Sequence, residues 1–202
     1  RIWFRWYLNR FPLRDGKARL YQALHSYLLP AERFQVATID PGFRLNCDLQ
    51  DPEQRKIYFY GHYHERYEAR LIRDLLSPGD NFWDIGANIG YFSLLAATAL
   101  QNNGHILSFE PGRTAYQRLL ENLSLNDFTN ITPVNLAASN AVGEATLYLS
   151  ADIADTGANL FHAGDGRQHC ETIRTMPLDV FLTQEHLSPP QFLKIDVEGA
   201  EL

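Results

Sequence analysis

A short apolar segment that contains two glycines limits the fold more than any other feature of this chain. It reads Asn-Phe-Trp-Asp-Ile-Gly-Ala-Asn-Ile-Gly-Tyr from Asn81 to Tyr91. The pattern predicts a strand over 81–85, a turn that begins at Gly86, and a helix that leaves from Gly90. Glycine lets the backbone approach a ligand closely, and the free N–H groups of a helix start favour an anion. A carboxylate and a phosphate both satisfy this part of the pattern.

Strands and helices alternate through the rest of this half of the chain. Further strands are predicted over 105–109, 131–136, 145–149 and 192–197, and helices over 91–100, 114–125 and 178–183. This alternation predicts an α/β fold, in which a mostly parallel sheet carries helices on both faces.

The preceding residues predict a smaller unit. Its patterned segments are a helix over 13–29, a hairpin over 34–49 with an Asp-Pro-Gly turn, and a helix over 64–76 with one apolar face. We therefore expect an N-terminal helix and hairpin cap over 1–60, followed by the α/β domain over 61–202. Residues 1–14 are basic and aromatic, which favours a helix packed on the core and leaves peripheral membrane contact open.

Composition excludes several classes of protein. With 45% apolar residues in 202, the chain can build a core. Only two cysteines, at 47 and 170, exclude a four-cysteine metal site, and the histidines form no metal pattern. No apolar run is long enough to cross a membrane, and we expect a cytoplasmic protein. Residues 81–202 carry 5 basic and 14 acidic side chains, which argues against nucleic acid and suits a cationic or neutral ligand.

The spacing of the glycines separates the candidate cofactors. A dinucleotide fingerprint is G-x-G-x-x-G, whereas Gly86 to Gly90 gives G-x-x-x-G. Asp84, at the end of its strand, would oppose a pyrophosphate but would suit an ammonium or a sulfonium group. S-adenosylmethionine carries both. Glu110 follows the next strand, 24 positions after Gly86, at about the distance where such folds hold ribose hydroxyls.

The last patterned segment places charged residues at a strand end. Alternation along the predicted strand directs Lys194, Asp196 and Glu198 to one side. In an open parallel sheet, ligands bind outside the carboxyl ends of the strands, where the two acids would lie. Two close carboxylates can share a proton, bind a cation, or act as a base and its orienting partner. Lys194 would orient or tune them.

Together these motifs resemble the FkbM family of S-adenosylmethionine-dependent methyltransferases. The matching segments are Trp83–Gly90, Phe109–Pro111 and Leu193–Glu201, in the family's order. The resemblance implies a class I methyltransferase (Rossmann-like) fold and O-methylation of a hydroxyl on a sugar, a glycan or a secondary metabolite. It also implies that the domain is truncated at its C-terminus, because the family normally continues past the last motif.

The resemblance assigns roles to individual positions. Asp84, Gly86, Asn88 and Gly90 would form the cofactor loop, Glu110 would hold the ribose, and Ala137 and Ala138 would lie near the adenine. Asp196 and Glu198, with Lys194 beside them, would face the methyl group and the acceptor, and no metal is required. A nicotinamide-dependent oxidoreductase and a non-catalytic cofactor-binding or scaffold module remain as alternatives.

Overall fold

The computed structural model describes residues 2–11, 16–63, 66–149, 158–159 and 169–197. The helices are α1 (Ile2–Arg10), α2 (Lys17–Leu24), α3 (Pro52–Tyr60), α4 (Arg66–Leu75), α5 (Tyr91–Leu100), α6 (Arg113–Ser124) and α7 (Leu178–Gln184), with a 3₁₀ turn at Ser26–Leu28. The strands are β1 (Phe34–Ile39), β2 (Phe43–Asp48), β3 (Asn81–Ile85), β4 (His105–Phe109), β5 (Ile131–Val134), β6 (Ala137–Ala138), β7 (Gly143–Leu149), β8 (Ala158–Asn159), β9 (His169–Met176) and β10 (Phe192–Ile195).

The central sheet has four parallel strands in the order β10-β3-β4-β5. Side chains alternate along each strand, so neighbouring residues reach opposite faces. Phe82 and Ile106 pack against α5, whereas Trp83 and Leu107 pack against Phe181 and its neighbours on α7. The predicted α/β fold with helices on both faces is confirmed.

The N-terminal residues pack on this sheet domain as predicted. β1 and β2 form the expected antiparallel hairpin, with Ile39 opposite Phe43. On α1, Phe4 and Leu8 are buried in one cluster that extends through the hairpin to Leu94 on α5. The boundary between residues 60 and 61 stays a prediction.

The outer face of α1 is apolar and exposed. Ile2 and Trp3 are at least 80% accessible, and Trp6 is about half accessible. Peripheral membrane contact by residues 1–14 stays a prediction. Within the described residues, no helix combines the length and the apolar composition needed to cross a bilayer.

Four of the described elements were not predicted: helix α3 and strands β6, β8 and β9. Helix α3 begins where the Asp51 carboxylate accepts hydrogen bonds from the N–H groups of Glu53 and Gln54, and it ends at Gly61. Strand β9 joins β6, β7 and β8 in a second sheet, and it pairs antiparallel with β7 along the whole of that strand.

The apolar face expected on helix α4 is only partly covered. Ile72 packs against the core, but Tyr67, Leu71 and Leu75 are exposed. Leu71 and Leu75 border a groove that also exposes Leu193 and Ile195 on the edge strand β10.

Candidate active site

The carboxyl ends of the four central strands surround one cavity of about 380 Å³. The chain places β4 and β5 on one side of β3 and later returns to place β10 on the other side. The order therefore reverses between β3 and β10, and a crevice opens at such a reversal. Gly86 follows β3, Glu110 follows β4, Ala137 follows β5 and Asp196 follows β10, and all four line the cavity.

Gly86 has a conformation that the neighbouring strand requires. Its φ is 78°, and a Cβ atom at this position would collide with the backbone carbonyl oxygen of Asp196. The N–H groups of Gly86 and Ala87 both donate to the carbonyl of Phe109, at 3.0 and 2.8 Å. The atom that a side chain at position 86 would hit therefore belongs to the protein and not to a ligand. Glycine is required here by the packing of the two strands.

Asn88 and Gly90 complete the loop. Asn88 has a left-handed backbone (φ 49°), is exposed and lines the cavity. Gly90 is buried, and a Cβ atom there would lie 2.6 Å from Leu119 Cδ1 on α6. Gly90 therefore permits the close contact between the start of α5 and α6, and it is not among the residues that line the cavity.

Glu110 is buried at the end of β4 and supports the loop. One carboxylate oxygen accepts from the Asn88 N–H at 2.8 Å, and the other accepts from the Gly112 N–H at 2.9 Å. Burial raises the pKa of Glu110 to about 7, although both backbone hydrogen bonds act in the opposite direction. Glu110 is the only residue predicted to bind ribose, and its side chain lines the cavity.

Asp84 does not line the cavity, in contrast to the position expected for a direct cofactor ligand. Its carboxylate is completely buried. Oδ2 accepts from the hydroxyl of Ser93 at 2.6 Å, and Oδ1 lies 3.1 Å from the Nζ atom of Lys194. Alternation along β3 explains this position, because Asp84 shares the α5 side of the sheet with Phe82.

Lys194 and Asp196 lie close together at the end of β10. Lys194 Nζ is 3.4 Å from Asp196 Oδ2, and the Asp196 side chain is about half exposed at 54%. Asp196 lines both the cavity and the groove beside it, whereas Lys194 lines only the groove. Burial lowers the pKa of Lys194, but Asp84 and Asp196 outweigh burial and raise this pKa above its ordinary value. Glu198 lies outside the described residues.

Several cavity residues were not predicted. An apolar wall is formed by Leu136, Leu147 and Ile173, beside the predicted Ala137 and Ala138. Glu171 on β9 also lines the cavity, and its carboxylate accepts from the Arg113 N–H at 2.9 Å. No periodic signal in the sequence pointed to Glu171, because the segment that forms β9 contains few apolar residues.

Arg118 and Gln54 complete the cavity wall at the end formed by the cap. Arg118 Nη1 lies 4.0 Å from Asp48 of the hairpin, and burial lowers the pKa of Arg118. Among the described residues, no group of three or more His, Cys, Asp or Glu side chains is arranged to hold a metal ion.

Comparison with known proteins gives the family. The model of the FkbM methyltransferase domain matches residues 84–202. The hexuronic acid methyltransferase AglP of Haloferax volcanii is 28% identical over 195 residues, which cover 94% of this chain and 72% of that protein.

Solved structures were also compared. The FkbM methyltransferase of Methylobacillus flagellatus KT is 21% identical, with a TM-score of 0.42 over 63% of this chain and 29% of that one. The P. horikoshii TYW2 in complex with MeSAdo is 18% identical, with a TM-score of 0.42 over 55% of this chain and 38% of that one. The chain thus spans about a third of the length of these two structures. The domain match does not favour the alternative of a nicotinamide oxidoreductase. Because this match covers more than half of the chain, the chain belongs to the FkbM methyltransferase family and is a methyltransferase.

Proposed function

We propose that this methyltransferase takes its methyl group from S-adenosylmethionine and transfers it to a hydroxyl oxygen of a sugar. The observation that carries the proposal is the position of Glu110 in the wall of the cavity at the strand ends. A carboxylate has about four acceptor sites, and the N–H groups of Asn88 and Gly112 use two of them. The remaining two suit the pair of hydroxyls on a ribose.

The other cavity residues fit the rest of the donor. The apolar wall of Leu136, Leu147 and Ile173, with the small side chains of Ala137 and Ala138, suits the flat adenine ring. Three acids, Glu110, Glu171 and Asp196, against one base, Arg118, give the wall an excess of acidic groups, which suits a cationic sulfonium group. The volume of about 380 Å³ lies within the range of small-molecule sites.

Asp196 is our candidate for the base. When bound, S-adenosylmethionine would supply an electrophilic methyl group. The acceptor oxygen would bond to this methyl carbon as the carbon–sulfur bond breaks, the sulfur would leave as a neutral thioether, and the hydroxyl would lose its proton. Asp196 lies half exposed at the mouth of the cavity, where a carboxylate can accept this proton. Glu198 remains a predicted supporting acid. Holding donor and acceptor in line supplies the rest of the acceleration.

The AglP relative is named for a hexuronic acid, and this name supports a sugar as the acceptor class. The proposal is tested by incubating the chain with isotopically labelled S-adenosylmethionine and three acceptor panels: hexuronic acid glycosides, neutral hexose glycosides, and short RNA or DNA. We expect label in an O-methyl ether of a sugar, identified by mass spectrometry. Label only in nucleic acid, or only on nitrogen, would contradict the proposal.

A further inference from the structure

The Asp84 carboxylate contacts other groups of the protein, Ser93 and Lys194. The Ser108 hydroxyl donates to Ser93 Oγ at 2.7 Å, and Ser93 in turn donates to Asp84 Oδ2 at 2.6 Å. Oδ1 receives no aligned hydrogen bond from the described residues, so its compensation is the ionic attraction of Lys194 at 3.1 Å. A completely buried carboxylate requires such a partner because the charged form is otherwise very costly.

Lys194 links the buried Asp84 carboxylate to Gly86 and Asp196 in the wall of the cavity. Its ammonium group has three N–H donors, and three oxygens surround it. It donates to the carbonyl of Gly86 at 3.2 Å and forms ion pairs with Asp84 and Asp196. The Phe92 ring lies 5.0 Å from Nζ, and only 18% of the side chain is exposed. The pairing of β10 with β3 sets Lys194 directly beside Asp84 in register.

We infer that the buried Asp84–Lys194 pair fixes the Gly86 turn and Asp196 relative to each other, so that Lys194 is a positioning residue for methyl transfer. This inference rests on the proposed function, and it gives Asp84 no contact with the donor. Gly86 and Asp196 both line the cavity, and in the proposed function Gly86 belongs to the loop that holds the donor whereas Asp196 faces the acceptor. A displacement of Lys194 therefore changes the alignment of donor and acceptor.

A double-mutant cycle separates this role from direct contact. The four proteins are the parent, Asp84→Asn, Lys194→Met and the double variant, and Arg19→Met on the exposed face of α2 is the control. We expect Asp84→Asn to lower kcat about tenfold in the parent and less than about twofold in the Lys194→Met background, because one pair carries both effects. Lys194→Arg keeps the charge, and we expect it to restore most of the kcat that Lys194→Met loses.

Two further measurements make each outcome decisive. The free energy of unfolding is measured in urea for all four proteins, and the Kd for S-adenosylmethionine is measured by calorimetry. If Asp84→Asn and Lys194→Met are coupled both in the free energy of unfolding and in kcat, the inference is supported. If they are coupled only in the free energy of unfolding, the pair has a purely structural role and the inference is overturned. An equal loss of donor affinity from Asp84→Asn in both backgrounds also overturns it. A parent that binds no S-adenosylmethionine overturns the proposed function instead, while the unfolding cycle still reports whether the pair exists.

Discussion

The Glu110 carboxylate accepts hydrogen bonds from the backbone of Asn88 and Gly112, and it is also our candidate for binding the ribose. Burial raises its pKa from 4.5 to about 7. Between pH 4.5 and about pH 7, the Glu110 carboxyl is protonated in the folded protein, whereas it releases its proton in the unfolded chain. The resulting stability is fully present below pH 4.5 and is lost as the pH rises through 7. A shift of this size corresponds to about 3 kcal/mol.

We predict that Glu110→Gln removes this pH dependence. Between pH 5 and 8, urea denaturation of the parent should show a decrease in the free energy of unfolding on the order of 2–3 kcal/mol beyond that of the variant. Glu121→Gln, at an exposed position on α6, is the matched control and should keep the parent's slope. Parallel slopes for the parent and Glu110→Gln would show that the Glu110 carboxyl titrates normally.

The second prediction concerns Asp196. Asp196→Asn keeps the shape and removes the charge, so it should lower kcat at least about 100-fold while leaving the Kd for S-adenosylmethionine within a few-fold. Asp179→Asn, on the exposed side of α7, serves as the control. If kcat stays within a few-fold of the parent, Asp196 is not the base.

The sequence predicted which residues lie at the strand ends better than it predicted which groups they contact. Glu110 and Asp196 follow parallel strands, so their place at one sheet edge was predictable from the alternation alone. The contacts of Asp84 were not predictable, because its partner Lys194 comes from a strand far along the sequence. Only the pairing of β10 with β3 brings these two residues together.

Among the elements, the Gly86 turn gives the clearest test of packing. We predict that Gly86→Ala destabilises the protein by about 2 kcal/mol or more, because positive φ and a backbone collision with Asp196 act together. Gly16→Ala is the matched control, since Gly16 has a similar φ of 84° but open space around it. Equal losses in the free energy of unfolding for the two variants would mean that the collision is relieved without cost.

The predictability of each element followed the strength of its pattern. β3, α5 and β4 have the predicted bounds, because each is a mostly apolar segment that ends at a glycine, a turn or a charged residue. β9 was missed because it lies in a half-exposed antiparallel sheet, where polar residues alternate with few apolar ones. α3 was missed although its Asp-Pro start is a recognisable helix signal.

At the scale of the whole molecule, Asn122 joins the cap to the sheet domain. This buried side chain accepts from the Asn46 N–H at 2.7 Å and donates to the Ile89 carbonyl at 2.8 Å. We predict that Asn122→Ala lowers the free energy of unfolding by about 2–3 kcal/mol, because the buried Ile89 carbonyl and the half-buried Asn46 N–H lose their partner. The thermal transition should stay single, as one shared core requires. Two separate transitions in calorimetry would show that the cap and the domain unfold independently.

In the proposed function, the cavity at the strand ends binds S-adenosylmethionine through Glu110. Calorimetric titration of the chain with S-adenosylmethionine and with NAD, repeated for Glu110→Gln at pH 8, measures this binding. We expect one S-adenosylmethionine per chain, no measurable binding of NAD, and an affinity about 10–100-fold lower for the variant, because hydrogen bonds to a charged group are lost. Binding of NAD in preference to S-adenosylmethionine, or an unchanged affinity in the variant, would contradict it.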